Sequence, residues 1–259
     1  MNTNPADTAS REPLLSPIGI VLVETSHPGN VGAVARAMKV MGFGRLALVA
    51  PRFADVLADP KAIAFASGAG DVLADATIHP TLDDALGTTT HAIALSARPR
   101  EFAPPPVGLR DAAVDAVARA SGEERVAFVF GSERYGLSNE NVLRCQASCR
   151  VDTSSVYGSL NLAQAVQLAT YECRMAMLAG RSATPVTSPV LATSIEREAL
   201  IDHFEEGLLA IGYLDPDAPK KLMPRLRRLF ARAGLEHEEV QWLRGMAKAM
   251  IRASAGTPR

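Results

Sequence analysis

The chain has 259 residues, 47% of them hydrophobic, and a formal net charge of −1, which suits one large domain or a large domain with a small one. No apolar run approaches the roughly 20 residues of a membrane-spanning helix. The three cysteines are too few and wrongly spaced for a disulfide framework or a CxxC zinc pair. The composition therefore predicts a soluble, cytoplasmic protein with no metal and no membrane partner.

Apolar, β-branched runs alternate with helical patterns from residue 18 to residue 180. The runs that predict strands are 18–24, 45–50, 76–79, 91–97, 125–131 and 148–153. The segments that predict helices are 31–42, 60–68, 81–87, 110–120, 138–145 and 158–180. Short, nearly all-apolar strands separated by helices indicate an α/β fold with a parallel sheet covered on both faces.

The ends of the chain differ in composition from this α/β part. Residues 1–15 are mostly polar and lack the apolar segment of a signal peptide, so they predict a disordered tail. Residues 181–194 are rich in Ser, Thr, Pro and Ala and predict a linker. The expected domains are therefore a catalytic domain over 16–180 and a small all-helical domain over 195–259, where Ser194 and Glu196 open the first helix.

Basic residues are concentrated at the C-terminal end. Residues 220–259 hold ten lysines and arginines against three glutamates (+7), which leaves 17 basic and 25 acidic side chains (−8) in residues 1–219. This asymmetry predicts a polyanionic partner at the basic end. The alternative is an ordinary solvated face, opposite an apolar stripe formed by Leu222, Leu226, Leu229 and Phe230.

Three glycine-containing loops follow predicted strands, at 25–32, 131–139 and 153–162. Glycine permits positive φ angles and a close approach of the backbone to a ligand. In open parallel sheets, ligands bind beyond the carboxyl ends of the strands. Three such loops at equivalent positions therefore predict one binding site.

The first of these loops leads into a helix that carries Asn30 and Arg36. Arg36 lies roughly 140° from Val31 on a helical wheel, well off the apolar stripe, and is free to face a ligand. The alternative is that Asn30 caps the helix and Arg36 is solvated. In the same way, Glu133 alone would be a surface charge, and helix capping alone could explain one of Ser159 and Asn161.

Together the three loops resemble the motifs of the SpoU branch of the SPOUT methyltransferases, which transfer a methyl group from S-adenosylmethionine to a ribose 2′-hydroxyl of RNA. The matching residues, in motif order, are Asn30 and Arg36; Gly131, Glu133, Gly136 and Leu137; and Ser159, Leu160 and Asn161. The stretches ETSHPGNVGAVARAMKVMGF and KKLMPRLRRLF look most like the bacterial tRNA (cytidine/uridine-2′-O)-methyltransferases of the TrmJ type, which modify nucleotide 32 of the anticodon loop.

The resemblance implies a SPOUT fold with a C-terminal trefoil knot, an exception to the usual absence of threading, and a homodimer whose sites take residues from both subunits. It implies S-adenosylmethionine as cofactor and tRNA as substrate. The implied catalytic residues are Asn30, Arg36, Glu133, Ser159 and Asn161. The implied cofactor-binding residues are Leu95, Ser96, Ala97, Gly131, Val151, Gly158, Ser159 and Leu160. The RNA-binding residues predicted from the basic segment are Lys220, Lys221, Arg225, Arg227, Arg228 and Arg232.

The chemistry of these residue types suggests their roles. We expect Arg36 to clamp the substrate phosphate and stabilise negative charge on the 2′-oxygen. Asn30 is expected to hold Arg36 or the ribose, Glu133 to fix the first loop, and Ser159 and Asn161 to shape the pocket. The alternatives are the same reaction on ribosomal RNA or at another tRNA position, and a non-catalytic RNA-binding protein.

Overall fold

The computed structural model describes residues 15–96, 103–180 and 190–255. The strands in these ranges are β1 (Ile18–Val23), β2 (Arg45–Val49), β3 (Thr77–His79), β4 (His91–Leu95), β5 (Pro106–Gly108), β6 (Val126–Phe130) and β7 (Ala147–Arg150). The helices are α1 (Pro28–Met41), α2 (Pro60–Ala66), α3 (Gly70–Ala74), α4 (Leu82–Leu86), α5 (Leu109–Ser121), α6 (Asn139–Leu143), α7 (Leu162–Gly180), α8 (Ser194–Ala210), α9 (Leu222–Ala233) and α10 (His237–Ala255).

The strands form one parallel sheet in the order β3-β2-β1-β6-β4-β7-β5. The central strands β1 and β6 are buried at every position, as expected for strands covered by helices on both faces. The predicted parallel α/β sheet is thus confirmed. The edge strand β5 was not predicted, because it is short and begins at Pro106, and proline is tolerated in a sheet mainly at edges.

Two apolar clusters fill the space on the two faces of the sheet. The larger one packs Ile20, Leu22 and Phe128 against helices that include α1, α5 and α7, and the smaller one packs Val21 and Val129 against α4 and α6. Leu15, the last residue of the predicted disordered tail, is fully buried in the larger cluster. The predicted disordered tail therefore does not include Leu15, and residues 1–14 lie outside the described residues.

The three C-terminal helices enclose a small core of their own. Leu200, Ile201, Phe230, Leu235 and Val240 are buried in it. Helix α9 contributes Met223, Leu226 and Phe230 to this core, whereas Leu229 of the predicted stripe is 45% exposed. The buried face of α9 is therefore rotated from the predicted one.

The end of the predicted linker belongs to this helical unit. Leu191 forms a β-bridge with Glu236, and Ala192 is fully buried. Thr193, one residue before the predicted start, caps α8 in a capping box with Glu196. Residues 181–189 lie outside the described residues.

The helical unit also contacts the α/β part. The buried Arg197 donates to the carbonyl oxygens of Thr90 and Ala192, and Glu198 accepts from both Arg144 and Arg227. These contacts fix α8 against the α/β part. Among the helices described, none combines the length and apolar character needed to cross a membrane.

Candidate active site

Three of the loops that follow strands meet at the carboxyl edge of the sheet. The strands β1, β6, β4 and β7 are consecutive neighbours in the sheet. The loops after β1, β6 and β7 therefore emerge at the same edge of the sheet. The first and second of these loops are more than 100 positions apart in sequence. Their side chains are joined by hydrogen bonds around the carboxylate of Glu133 and the amide of Asn30.

The first loop places Asn30 inside α1 and not at its cap. His27 is the N-cap, its Nδ1 accepts from the backbone N–H of Gly29 at 3.1 Å, and Pro28 is the first helical residue. The helix therefore begins three residues before the predicted position. As a result, the capping role considered for Asn30 is wrong, and its side chain is available to the neighbouring loops.

Glu133, in the second loop, holds the first loop through both carboxylate oxygens. Its Oε1 accepts from the Asn30 amide at 2.8 Å and from the Thr25 hydroxyl at 3.1 Å. Its Oε2 accepts from the backbone N–H and the hydroxyl of Ser26 at 2.9 and 2.8 Å. Thr25 and Ser26 were missed in the sequence. Their only signal was a pair of hydroxyl side chains directly after a buried strand.

The environment of Glu133 favours its charged form. Partial burial raises the pKa of Glu133, but hydrogen bonds from the Asn30 side chain, the backbone and the Ser26 hydroxyl outweigh burial and lower the pKa to about 2. Glu133 is thus a fixed anion at neutral pH. It acts as an acceptor that orders the loop and does not supply a proton.

Asn161 connects the third loop to this network. Its Nδ2 donates to the Asn30 Oδ1 at 3.0 Å, and its Oδ1 accepts from the backbone N–H of Ala163 at 2.9 Å, which caps α7. Helix α7 begins at Leu162, not at the predicted residue 158, so residues 152–161 form an exposed loop. Asn161 therefore both starts the helix and fixes the position of Asn30.

Glycine is required at the base of the second loop. A Cβ at Gly131 would lie 2.0 Å from the carbonyl carbon of Gly136 and 2.1 Å from the nitrogen of Leu137. Gly136 itself has a φ of 69°, in the left-handed region that favours glycine. Any side chain at Gly131 would open this turn and displace Glu133.

Arg36 lies apart from the network, in an open groove between α1 and α7. The groove has a volume of about 460 Å³ and is lined by Arg36, Val40, Gln164 and Leu168, among others. Within the described parts of the chain, the exposed Arg36 guanidinium has no hydrogen-bond or ion-pair partner. Both amide atoms of Asn30 are engaged by Glu133 and Asn161, so Asn30 does not hold Arg36.

The predicted cofactor residues lie at the ends of three adjacent strands. Leu95 ends β4, and Ser96, Gly131 and Val151 directly follow β4, β6 and β7. Apolar side chains and strand-end backbone groups at one edge fit the faces and polar edges of an adenine ring. Ala97 lies outside the described residues.

The other predicted cofactor residues belong to the exposed loop. Gly158, Ser159 and Leu160 are all exposed, and the carbonyl oxygen of Gly158 accepts from the Thr153 hydroxyl at 3.4 Å. Ser159 makes no hydrogen bond to any residue that the structure describes, so it is not part of the Glu133 network.

The predicted RNA-binding residues divide into two groups. Lys220, Lys221, Arg225 and Arg232 are exposed, whereas Arg228 is partly buried. Arg227 is also partly buried and is ion-paired with Glu198. Arg227 therefore holds α9 to α8 in this structure.

In the described residues, neither the cysteines nor the clusters of acidic side chains form a second reactive or metal-binding site. Burial raises the pKa of Cys145 and Cys149 to about 12 and also raises that of Cys173. These cysteines are buried apolar residues, as their type commonly is. No group of three or more His, Cys, Asp or Glu side chains in the described ranges could hold a metal ion.

Comparison with known proteins covers both parts of the chain. The profile of the SpoU rRNA methylase family matches residues 17–171, and that of the C-terminal domain of the tRNA methyltransferase TrmJ matches residues 196–259. The chain is 40% identical over 252 residues to the tRNA (cytidine/uridine/adenosine-2′-O-)-methyltransferase TrmJ of Pseudomonas aeruginosa (strain UCBPP-PA14), which covers 94% of this chain and 97% of the relative.

Two further relatives agree with this match. The tRNA (cytidine/uridine-2′-O-)-methyltransferase TrmJ of Escherichia coli (strain K12) is 42% identical over 248 residues, or 94% of this chain and 98% of the relative. Among solved structures, TrmJ from Z. mobilis ZM4 is similar with a TM-score of 0.77 and 32% identity, over 90% of this chain and 98% of that one.

Proposed function

This chain belongs to the SpoU methylase family and carries a TrmJ-type C-terminal domain, and on that premise we propose that it methylates the ribose 2′-hydroxyl of a cytidine or uridine in tRNA. The methyl donor is S-adenosylmethionine, and the target is nucleotide 32 of the anticodon loop. Because its substrate is tRNA, the protein acts in the cytoplasm.

The observation that carries the proposal is the junction of the three loops. The hydrogen bonds from Asn161 to Asn30 and from Asn30 to Glu133 measure 3.0 and 2.8 Å. They join residues from three sequence motifs of one methyltransferase family at the carboxyl edge of the sheet. A protein that only bound RNA would not need these three motifs assembled beside strand ends suited to a nucleoside.

The reaction requires a positioned nucleophile more than an acid or base from the protein. S-adenosylmethionine supplies a methyl group activated by a positively charged sulfur. A guanidinium group keeps its proton in a protein, so Arg36 acts as a two-pronged donor to the substrate phosphate and stabilises charge on the 2′-oxygen. The proton leaves to phosphate or water. Glu133, Asn30 and Asn161 hold the loops in place, and Ser159 completes the pocket wall.

A homodimer and a knot complete the proposal. Val40, Leu168 and Tyr171 leave 63%, 36% and 44% of their surfaces exposed on α1 and α7, next to Arg36. An apolar surface of this kind supports contact with a second copy of the chain. In such a dimer Arg36 would face the partner as well as its own loops. The trefoil knot is proposed from family membership.

The alternative targets within the same chemistry are another tRNA position or ribosomal RNA. The motifs in the three loops indicate methyl transfer to a ribose but do not indicate which RNA or which nucleotide is the target. The match of residues 196–259 to the TrmJ C-terminal domain favours tRNA.

Replacing Arg36 tests both the activity and its mechanism. The wild-type protein should transfer a labelled methyl group to unmodified tRNA, and nuclease digestion should yield 2′-O-methylated cytidine or uridine. We expect Arg36→Lys to keep cofactor affinity but to lower the single-turnover rate by about a hundredfold or more, because lysine lacks the bidentate fork. Cofactor affinity is measured by calorimetry.

Two outcomes would contradict this proposal. A wild-type protein that binds tRNA and transfers no label would remove the enzymatic assignment. A fully active Arg36→Lys variant would leave the assignment intact and remove the role given to the guanidinium fork.

A further inference from the structure

Most arginines of the α/β part that the structure describes are ion-paired or hydrogen-bonded. Arg110, Arg119, Arg144 and Arg150 are ion-paired to acidic side chains. Arg45, Arg125 and Arg174 donate to backbone or hydroxyl oxygens. In the described residues from 15 to 180, the guanidinium groups with no hydrogen-bond or ion-pair partner are those of Arg36, Arg52 and Arg134. Arg36 already has a role in the proposed reaction, whereas Arg52 and Arg134 do not.

Arg52 and Arg134 each lie over the aromatic ring of the next residue. The guanidinium carbon of Arg52 is 5.5 Å from the centroid of the Phe53 ring, and that of Arg134 is 5.1 Å from the centroid of the Tyr135 ring. Phe53 and Tyr135 are 42% and 74% exposed. Neither ring belongs to an apolar cluster of the described core, so packing does not account for them.

Both pairs are connected to Glu133 through the backbone. The backbone N–H of Arg52 donates to the carbonyl oxygen of Thr25 at 3.0 Å, and the Thr25 hydroxyl donates to Glu133 at 3.1 Å. Arg134 directly follows Glu133 in the chain, and the Tyr135 N–H donates to the Ser132 hydroxyl at 3.3 Å. The same network that holds Asn30 therefore holds both pairs in place.

An exposed ring with a cation above it has the properties of a nucleobase-stacking surface. Single-stranded RNA is recognised by stacking of its unpaired bases on aromatic rings and on guanidinium planes. The positive charge also attracts the adjacent phosphates. A duplex keeps the faces of its internal bases covered, so those bases cannot use such a surface.

We propose that the Arg52–Phe53 and Arg134–Tyr135 pairs form a platform that stacks unpaired nucleobases flanking the target nucleotide. This inference rests on the proposed function, because it assigns to the same site a preference for single-stranded RNA loops. The platform holds the neighbours of the target while Arg36 engages the phosphate. Phe53 and Tyr135 are thus substrate-positioning residues and take no part in the chemical step.

Tryptophan fluorescence tests the stacking directly. The chain has one tryptophan, Trp242, so the Tyr135→Trp change in a Trp242→Phe background places the only indole on the platform. A tRNA anticodon stem-loop should quench this fluorescence, and a blunt RNA duplex of equal length should not. Equal quenching by the two RNAs, or none by either, would overturn the stacking assignment.

Affinity measurements test the same surface without introducing a tryptophan into it. We expect Phe53→Leu and Tyr135→Leu each to weaken stem-loop binding by about tenfold, to leave affinity for the duplex unchanged, and to leave cofactor affinity unchanged. The matched controls Phe53→Tyr and Tyr135→Phe keep a ring and should bind as the wild type does. Stem-loop affinities of the leucine variants equal to the wild-type value would refute the platform.

The failure of this inference can be told apart from failure of the proposed function. Wild-type protein that methylates tRNA, with leucine variants that bind the stem-loop normally, would remove the platform alone. Wild-type protein that binds the stem-loop through the platform but transfers no methyl group would remove the activity and leave the platform. Tight binding of a non-nucleic-acid polyanion that depends equally on both rings would overturn the assignment to nucleobases.

Discussion

At the scale of single residues, Glu133 determines how the site is assembled. Its carboxylate accepts four hydrogen bonds from Thr25, Ser26 and Asn30, across more than 100 positions of sequence. These hydrogen bonds favour the charged form of Glu133, because protonation of one carboxyl oxygen would reduce its capacity to accept them. The loop after β1 is therefore held by an anion that belongs to the loop after β6.

Replacing Glu133 with Gln should make the stability difference from wild type depend on pH. The folded-state pKa of Glu133 is about 2, below its ordinary value of 4.5. The carboxylate thus stabilises the fold above about pH 4.5, and this contribution is lost as the pH falls toward 2. At pH 7 we expect Glu133→Gln to lower the free energy of unfolding by about 1 kcal/mol, a value reduced for solvent screening of a partly exposed group.

The measurement is urea denaturation of both proteins at pH 7 and near pH 3. The difference should shrink at the lower pH, because the wild-type carboxylate is then losing its charge in the unfolded state. Glu205→Gln, at an exposed position on α8, is the matched control and should show no such trend. A difference that stays constant from pH 7 to pH 3 would contradict the role given to the carboxylate.

The motif residues Asn30, Glu133 and Asn161 could be predicted from the sequence because their spacing is specific to a family. Their hydrogen bonds could not, since these depend on how distant loops meet. Thr25 and Ser26 are small polar residues of a kind found in most loops, and nothing local distinguishes them. Gly32 is the last residue of the first glycine-containing loop, but it lies inside α1. A Cβ there would lie 2.0 Å from the Ala62 carbonyl oxygen, so Gly32 serves the packing of α1 on α2.

At the scale of elements, the ends of helices decide what each loop presents. Helix α1 begins at Pro28 because His27 caps it, and histidine is not among the usual capping residues. Helix α7 begins at Leu162 because the Asn161 side chain accepts from the backbone N–H of Ala163, the second residue of the helix. Apolar periodicity predicted both helices, but it could not locate their first residues, which are set by side-chain capping.

Helix α9 shows the same distinction between pattern and contact. Its basic residues were predicted from the sequence to form one RNA-binding face. In the structure, Arg227 is ion-paired with Glu198 of α8, which is also paired with Arg144. Arg225 and Arg232 are exposed. We infer that the exposed arginines contact phosphate and that Arg227 is structural.

Alanine variants of α9 should separate these two roles. Arg225→Ala and Arg232→Ala should each weaken tRNA binding and reduce the slope of log affinity against log salt by about 1, without changing stability. Arg227→Ala should lower the free energy of unfolding by about 1 kcal/mol, because Glu198 keeps only Arg144, and should leave the salt slope unchanged. Filter binding over a salt series and urea denaturation give the two readouts. The opposite pattern, with a reduced salt slope only for Arg227→Ala, would refute the division.

At the scale of the whole molecule, the sheet and the helical unit are joined through the segment that carries Glu133. Arg144 ends α6, which follows the second loop, and is paired with Asp83, Glu140 and Glu198. Most strands and helices were predictable, because each has its own periodicity, whereas the short edge strand β5 and helix α3 were not. The junction between the two parts was not predictable, because its ion pair joins Arg144 to Glu198, 54 positions further along the chain.

This arrangement gives each part a distinct task. We propose that the sheet edge supplies the methyl-transfer site and that the exposed basic residues of the helical unit supply affinity for the tRNA phosphates. The contacts of Arg144 and Arg197 fix the distance between them. A fixed distance restricts which ribose of a bound tRNA can reach Arg36, so a single position should be modified.

Mapping the methyl group on tRNA tests this account most directly. Unmodified total tRNA is incubated with the wild-type protein and labelled S-adenosylmethionine, digested with nucleases, and analysed by mass spectrometry of the fragments. We predict one added methyl group per tRNA, on the 2′-oxygen of cytidine or uridine at nucleotide 32. A methyl group on a base, or 2′-O-methylation scattered over several positions, would contradict the account.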